Sequence, residues 1–275
     1  MFQLTGSVPS GTLGHVRIHH LDCGTMAMGM VDHCLLLETK RDGLVLVDTG
    51  YGMDCVRRPG QMIGPFRFVA GLKLRPEATA LWQIQALGYD PRDVRHIILT
   101  HLDLDHAGGL SDFPEATVHV HGPEFRAAMV GRALGERMRY RAQQWAHGPK
   151  WMVNEVEGGE PWFGFEAVRD LPGLPPEILL VPLPGHTRGH VGVAVDSGRG
   201  WLLHAGDAFF LGSTIDPVNP RTPLFWKAYG MGAIVGSAYR ENQRRLLELK
   251  RDHGHEITIV NSHDAALFTP FASPR

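Results

Sequence analysis

The stretch Thr100-His101-Leu102-Asp103-Leu104-Asp105-His106-Ala107-Gly108-Gly109 decides how this chain is read. It continues an apolar run, His96 to Leu99, that reads as a buried strand. On an extended backbone, side chains two positions apart share a face. His101, Asp103 and Asp105 then point one way, while Leu102 and Leu104 turn to the core. A tight turn would bring His106 back to the same side. Four imidazole or carboxylate groups within six residues, just past a strand end, suit one divalent ion or two close ones. On spacing alone, a solvated turn with helix-capping aspartates is the plainer alternative.

Three distant segments favour the ion. Pro184-Gly185-His186-Thr187 follows the strand-like Ile178 to Val181, and the glycine lets the backbone turn so that His186 leaves the strand end. Asp207 follows Trp201 to Leu203, and His263 follows Ile257 to Val260. Each alone reads as a turn residue. Together they are His and Asp side chains just past buried strands, where open sheets gather ligands from remote sequence.

The rest of the chain fits this frame. Strands are expected at His15 to His20, Cys34 to Glu38, Leu44 to Val47, Thr117 to His121 and Val191 to Val195. Ala78, Leu81, Ile84 and Leu87 share one helical face within Pro76 to Leu87, and further helices are expected at Pro123 to Met129 and Ala238 to Lys250. Strands and helices recur in two similar halves, which predicts an α/β sandwich. No linker divides the 275 residues, so one domain over 1–275 is expected, with irregular insertions near 51–75, 130–176 and 209–236. Apolar residues are 43% and charged residues 20%, which excludes a disordered chain. With 27 basic and 29 acidic residues the formal charge is -2, so neither nucleic acid nor an anionic membrane is an expected partner. Met1 to Gly14 lacks the basic end and apolar run of a signal peptide, and Cys23, Cys34 and Cys55 form no framework. A cytoplasmic protein with a small-molecule substrate is expected.

These motifs together resemble the metallo-β-lactamase fold superfamily. The resemblance runs through Leu46-Val47-Asp48-Thr49-Gly50, His101 to His106, Pro184-Gly185-His186-Thr187-Arg188-Gly189-His190, Gly206-Asp207 and Ser262-His263. It implies an αββα sandwich of two mixed β-sheets flanked by helices, with two divalent metal ions at the sheet edges. Zinc is the expected metal, with manganese or iron as alternatives. His101, Asp103 and His186 would hold the first ion. Asp105, His106 and His263 would hold the second, and Asp207 would bridge them. A metal-bound water or hydroxide would be the nucleophile, with Asp105 as the catalytic proton shuttle to the leaving group. Asp48 reads either as a partner orienting a histidine ligand or as a turn residue. His190 and His204 read as structural.

Two departures bear on chemistry. The family's second histidine is Asp103 here, so three aspartates offset the two ions where two are usual. A less positive centre raises the pKa of bound water and relaxes metal choice, unless Asp103 fails to ligate and leaves the first position weak. The sequence resembles the quorum-quenching lactonase-like branch most, yet Phe210 stands where those lactonases carry a tyrosine, and phenylalanine donates no hydrogen bond. The bridging Asp207 argues against a true β-lactamase, and no extra domain marks a nuclease. The expected function is a metal-dependent hydrolase of a small ester or lactone. A thioesterase, a phosphodiesterase and a diiron redox protein are the alternatives. Met129, Met138, Trp145, Trp151, Trp162, Phe225, Trp226 and Tyr229 either wall the mouth of the site or pack the insertions and a homodimer contact. Arg57 and Arg58 either meet a substrate carboxylate or form a solvated pair.

Overall fold

The computed structural model describes residues 16–131, 134–156, 159–167, 171–224, 226–227 and 233–272. Met1 to His15, Phe225 and Tyr229 lie outside them, as does the side chain of Met138.

Period-two apolar runs build the two sheets. The first has six strands in chain order: β1 (Arg17–Asp22), β2 (His33–Glu38), β3 (Leu44–Val47), β4 (Val94–Ile98), β5 (Thr117–His121) and β6 (Lys150–Asn154). Its first three strands pair antiparallel and the rest parallel, so the sheet is mixed. A separate hairpin, β7 (Glu160–Trp162) with β8 (Phe165–Ala167), follows. The second sheet is also mixed, in the order β12 (Ile257–Val260), β11 (Trp201–His204), β10 (Val191–Asp196), β9 (Ile178–Pro182).

Alternation assigns each strand face to a layer. Leu35, Leu37, Val45, Val47 and Ile98 of the first sheet meet Ile178, Leu180, Val191, Val193, Val195 and Leu202 of the second in the inter-sheet core. The intervening Leu36, Leu46 and Ile97 face outward, against Ile84 of the helix Ala80–Ala86 and Ala127 of the helix Gly122–Val130. Leu179, Val181, Ala194 and Leu203 face the other way, against Leu246 and Leu249 of the helix Gly236–His253. The result is the four-layered αββα sandwich.

Helices fill the connections. Residues 51–75 hold α1 (Met53–Arg57), α2 (Pro59–Met62) and α3 (Phe66–Val69). The stretch read as one helix from Pro76 to Leu87 is split. Pro76–Ala78 is a single 3-10 turn, and Thr79, extended at ψ 148°, caps α4 (Ala80–Ala86) by accepting the Trp82 N–H. Leu87, placed on the buried face by spacing, is 41% exposed because it already lies past the last turn. Next come α5 (Leu104–Ala107), α6 (Gly122–Val130) and α7 (Leu134–Arg139). The long helix α8 (Gly236–His253) buries Tyr239, Asn242, Leu246 and Leu249 along one face, as an amphipathic repeat requires. Among the described residues no helix is long and apolar enough to cross a membrane.

Buried histidines make the fold sensitive to acid. His119 on β5 accepts from Asn154 Nδ2 at Nδ1 (3.4 Å) and donates from Nε2 to His96 Nδ1 (3.0 Å). Burial, helped by His96, pushes it down to about 4. The folded chain keeps it neutral while the unfolded chain takes up a proton below the ordinary histidine value of 6.5. Stability is therefore full above pH ~6.5 and lost as pH falls toward ~4. We expect His119→Gln to flatten this loss by roughly 2 kcal/mol at pH ~4.5 relative to pH ~7. Urea unfolding at both pH values measures it, and parallel losses in the two proteins would refute the assignment.

Candidate metal centre

The site lies where strand ends of both sheets meet. His101 follows β4, His186 follows β9, Asp207 follows β11 and His263 follows β12. Asp103 is extended as expected, but the extension stops there. Asp103 (φ −68°, ψ 157°) precedes α5, and its carbonyl accepts the N–H groups of His106 (3.0 Å) and Ala107 (2.9 Å). The His106 carbonyl is in turn bonded by the Thr49 N–H (2.9 Å) and hydroxyl (2.8 Å). Asp105 and His106 thus sit on a helical turn, not on a continued strand. Leu102 and Leu104 are buried, as the alternation predicts.

All seven expected donors converge, in three overlapping groups: His101, Asp103 and His186; His101, His106 and Asp207; and Asp105, His106 and His263. Asp207 stands between the outer two. Its Oδ2 lies 3.4 Å from His186 Nε2 and 3.9 Å from His101 Nε2. Its Oδ1 lies 3.5 Å from His106 Nε2, and His263 Nε2 lies 3.2 Å from both oxygens. Asp103 Oδ2 is 3.3 Å from His101 Nε2 and 3.1 Å from His186 Nε2. The two oxygens of Asp105 are each 3.8 Å from an imidazole, His106 or His263.

The donor set fits metal ions. His101 Nε2, His106 Nε2, Asp103 Oδ1 and Asp207 Oδ1 are buried with no hydrogen-bond partner, a cost that a cation removes. The other ring nitrogens are engaged in ways that leave Nε2 as the ligand atom. His106 Nδ1 donates to Asp48 Oδ2 (2.8 Å), His263 Nδ1 to the Val31 carbonyl (3.0 Å) and His101 Nδ1 to the Thr100 hydroxyl (3.0 Å).

Asp48 is the partner, not only a turn residue. It adopts a left-handed φ of +58°, and its Oδ1 and Oδ2 also accept the Thr100 N–H (2.8 Å) and hydroxyl (2.7 Å). Burial pushes its carboxyl up, but His106 overcomes this and holds it below the usual range. We expect Asp48→Asn to weaken metal binding about 10–100-fold. Chelator competition measures it, and unchanged affinity would leave Asp48 a turn residue.

Two glycines are required by close approach. A side chain at Gly185 (φ +151°) would meet the Tyr239 backbone nitrogen of α8 at 2.5 Å, and one at Gly206 (φ +52°) would meet His190 Nε2 at 2.5 Å. His190 is structural in a specific way: its Nε2 accepts the Asp207 N–H (2.9 Å), while Nδ1 donates to the Leu183 carbonyl (3.1 Å). His204 Nε2 donates to the His33 carbonyl (2.7 Å).

The electrostatics are those of opposed charges held close. Against the effect of burial, His263, His106 and His186 hold the Asp207 carboxyl well below its ordinary range. Burial alone would lower His263, but Asp207 overcomes it and raises the ring to about 9. Protons and metal ions compete for the same Nε2 atoms, so metal uptake releases protons.

Three residues escaped the sequence reading. Arg139, on α7 within the insertion read as irregular, pairs through Nη1 with Asp103 Oδ2 and lies 2.8 Å from His186 Nε2. Counting charge from the motif alone omits this guanidinium, which offsets the extra aspartate. Glu124 of α6 is buried and accepts the Leu102 N–H (2.9 Å), the Tyr140 hydroxyl (3.0 Å) and the Gly189 N–H (3.1 Å), tying both ligand loops together. Asp32 is wholly buried with both carboxyl oxygens unpartnered, and burial pushes its pKa well up. No motif marks any of the three, since their contacts come from elsewhere in the chain.

The aromatic residues divide. Phe210 stacks on His263 (5.6 Å between centroids) and on Trp226 (5.5 Å), with its edge contact to His186 at 5.8 Å. Trp145 and Trp151 pack against the outer core of the first sheet, and Trp162 against Trp201 and the second. Arg58 pairs with Asp54 one helical turn away (2.5 Å), half exposed.

A model of the Metallo-beta-lactamase superfamily matches residues 30–263. A probable metallo-hydrolase of Mycobacterium tuberculosis is 45% identical over 269 residues, spanning 96% of this chain and 86% of that protein. An N-acyl homoserine lactonase of a Bacillus species is 30% identical over 169 residues, 60% of this chain and 58% of its own length. The fold is similar to that of an N-acyl homoserine lactone hydrolase solved with the product N-hexanoyl-L-homoserine bound at its catalytic metal center. That likeness has a TM-score of 0.68 at 22% identity and covers 94% of this chain and 97% of the other. Its motifs, its four-layered sandwich and the family match over most of its length make this chain a member of the metallo-beta-lactamase superfamily.

Proposed function

We propose that this chain is a dinuclear metal-dependent hydrolase acting on a small ester or lactone with an apolar group. The observation that carries the reading is Asp207, whose carboxylate lies between the two donor sets: Oδ2 is near His186 and His101, Oδ1 is near His106, and His263 Nε2 lies 3.2 Å from both oxygens. His101, Asp103 and His186 would hold one ion, and Asp105, His106 and His263 the other, with Asp207 shared. When bound, such ions polarise a carbonyl oxygen and acidify water. The remaining work falls to the chain. Asp105 is the member of the set with the most solvent access, its side chain 17% exposed. In this reading it takes a proton and passes it to the leaving oxygen. Phe210 and Trp226, stacked beside His263, offer an apolar wall to the substrate and exclude water from that side. The relatives named N-acyl homoserine lactonases support a lactone as substrate.

The test is a substrate panel of lactones, aryl esters, thioesters and phosphodiesters. It is run on protein stripped of metal and reloaded with zinc, manganese or iron. Ester or lactone hydrolysis that disappears with a chelator and returns with metal is expected. Turnover confined to thioesters or phosphodiesters would replace the substrate class, and no turnover with any metal would sink the reading.

A further inference from the structure

Arg139 has a position that hydrolysis of an ester does not itself explain. Its Nη1 touches Asp103 Oδ2 and lies 2.8 Å from His186 Nε2. Asp103 and His186 are two of the three residues of the group formed with His101, and Arg139 takes His186 Nε2 and one oxygen of Asp103, leaving only Oδ1 of that carboxylate unpartnered. A lone pair directed at a guanidinium N–H is not available to a metal ion. Arginine stays charged at any working pH, so the conflict cannot be relieved by loss of a proton. The other outer group is different: among the described residues no arginine or lysine pairs with Asp105, His106 or His263.

The arrangement is anchored. Tyr140, the next residue, donates to the buried Glu124, and Glu136 on the same helix is paired with Arg188. The backbone at position 139 is thus held from both sides. Asp103 supplies the partner. A histidine at that position would give a guanidinium no negative charge to pair with.

We infer that Arg139 is a built-in competitor for the first metal position, so that the two ions bind with unequal strength. This rests on the dinuclear reading above. The position formed by Asp105, His106, His263 and Asp207 fills first. The position formed by His101, Asp103 and His186 fills only as the guanidinium releases Asp103 and His186. By linkage, an ion there weakens the Arg139 contacts by the same factor that Arg139 weakens the ion.

The test is an equilibrium zinc titration of metal-stripped protein against a chromophoric chelator, with circular dichroism as the check on folding. Native protein is expected to show one tight and one weak binding event. In Arg139→Met the weak event should tighten by roughly ten- to a hundredfold, the size of one or two charged hydrogen bonds. Arg139→Lys, which keeps the charge, should stay closer to native. Arg139→Gln carries the same expectation as Arg139→Met should the latter fail to fold. His186→Ala should remove the weak event and keep the tight one. Arg126→Gln, which deletes an exposed arginine paired with Glu155, should change neither.

Equal affinity of the two events in native protein overturns the inference and leaves the metal centre standing. So does an unaltered weak event in both neutral variants, or an equal gain in Arg126→Gln. Failure of native protein and all variants to bind zinc removes the metal centre and the inference together.

Discussion

Replacing Asp207 by asparagine is expected to reduce the metal content from two ions per chain to one or fewer, and to lower kcat/KM by at least about 1000-fold. The carboxylate lies between both donor sets, 3.4 Å from His186 Nε2 through Oδ2 and 3.5 Å from His106 Nε2 through Oδ1. An amide removes the shared negative charge and turns one end into a donor facing an imidazole. The backbone should survive, because the Asp207 N–H bond to His190 is independent of the side chain. Elemental analysis and kinetics on the best substrate of the panel measure both effects. Full metal loading with full activity would show that Asp207 does not bridge.

The second large effect is expected from Glu124→Ala, a residue that touches no donor atom. Three buried donors, the N–H groups of Leu102 and Gly189 and the hydroxyl of Tyr140, would lose their acceptor. At about 1–3 kcal/mol for each unsatisfied group, a loss of about 4 kcal/mol is expected. For a chain of this length that lowers Tm by roughly 8–10 °C. Because Glu124 joins the loop of His101 and Asp103 to the loop of His186, metal affinity should fall as well, by about 10–100-fold. Tyr140→Phe removes one of the three bonds and should cost about 1 kcal/mol without loosening the metal loops. Thermal unfolding with chelator competition separates the two, and a Glu124→Ala protein as stable as native would dismiss the clamp.

Much of the fold was legible because β-strand alternation is a local signal. Leu44–Val47, Thr117–His121 and Ile257–Val260 have the ends that the apolar runs predict. Strand β6, Lys150–Asn154, was hidden in a stretch read as irregular. It pairs with one neighbour at the sheet edge, with Trp151 and Met152 only half-buried and Val153 exposed, so apolar and polar residues do not alternate along it as in a buried strand. The turn at Leu104–Ala107 was also misread, for another reason. Its sequence alternates like a strand, but Thr49, more than fifty residues away, takes the His106 carbonyl, and the N–H groups of His106 and Ala107 go to Asp103. Asp48 could not be settled by spacing either, since its role consists of a contact with His106 across the same distance in the chain.

What the sequence determined by itself was which seven side chains could serve as donors and that His101, His186, Asp207 and His263 follow strands, because residue type and apolar strand runs are properties of neighbours in the chain. Only the tertiary structure decided that Asp207 lies between the two donor groups, that Glu124 joins two loops, and that Arg139 lies on Asp103. Those facts depend on how residues far apart along the chain are brought within hydrogen-bond reach when the two sheets close on their shared core, and no local pattern encodes that distance.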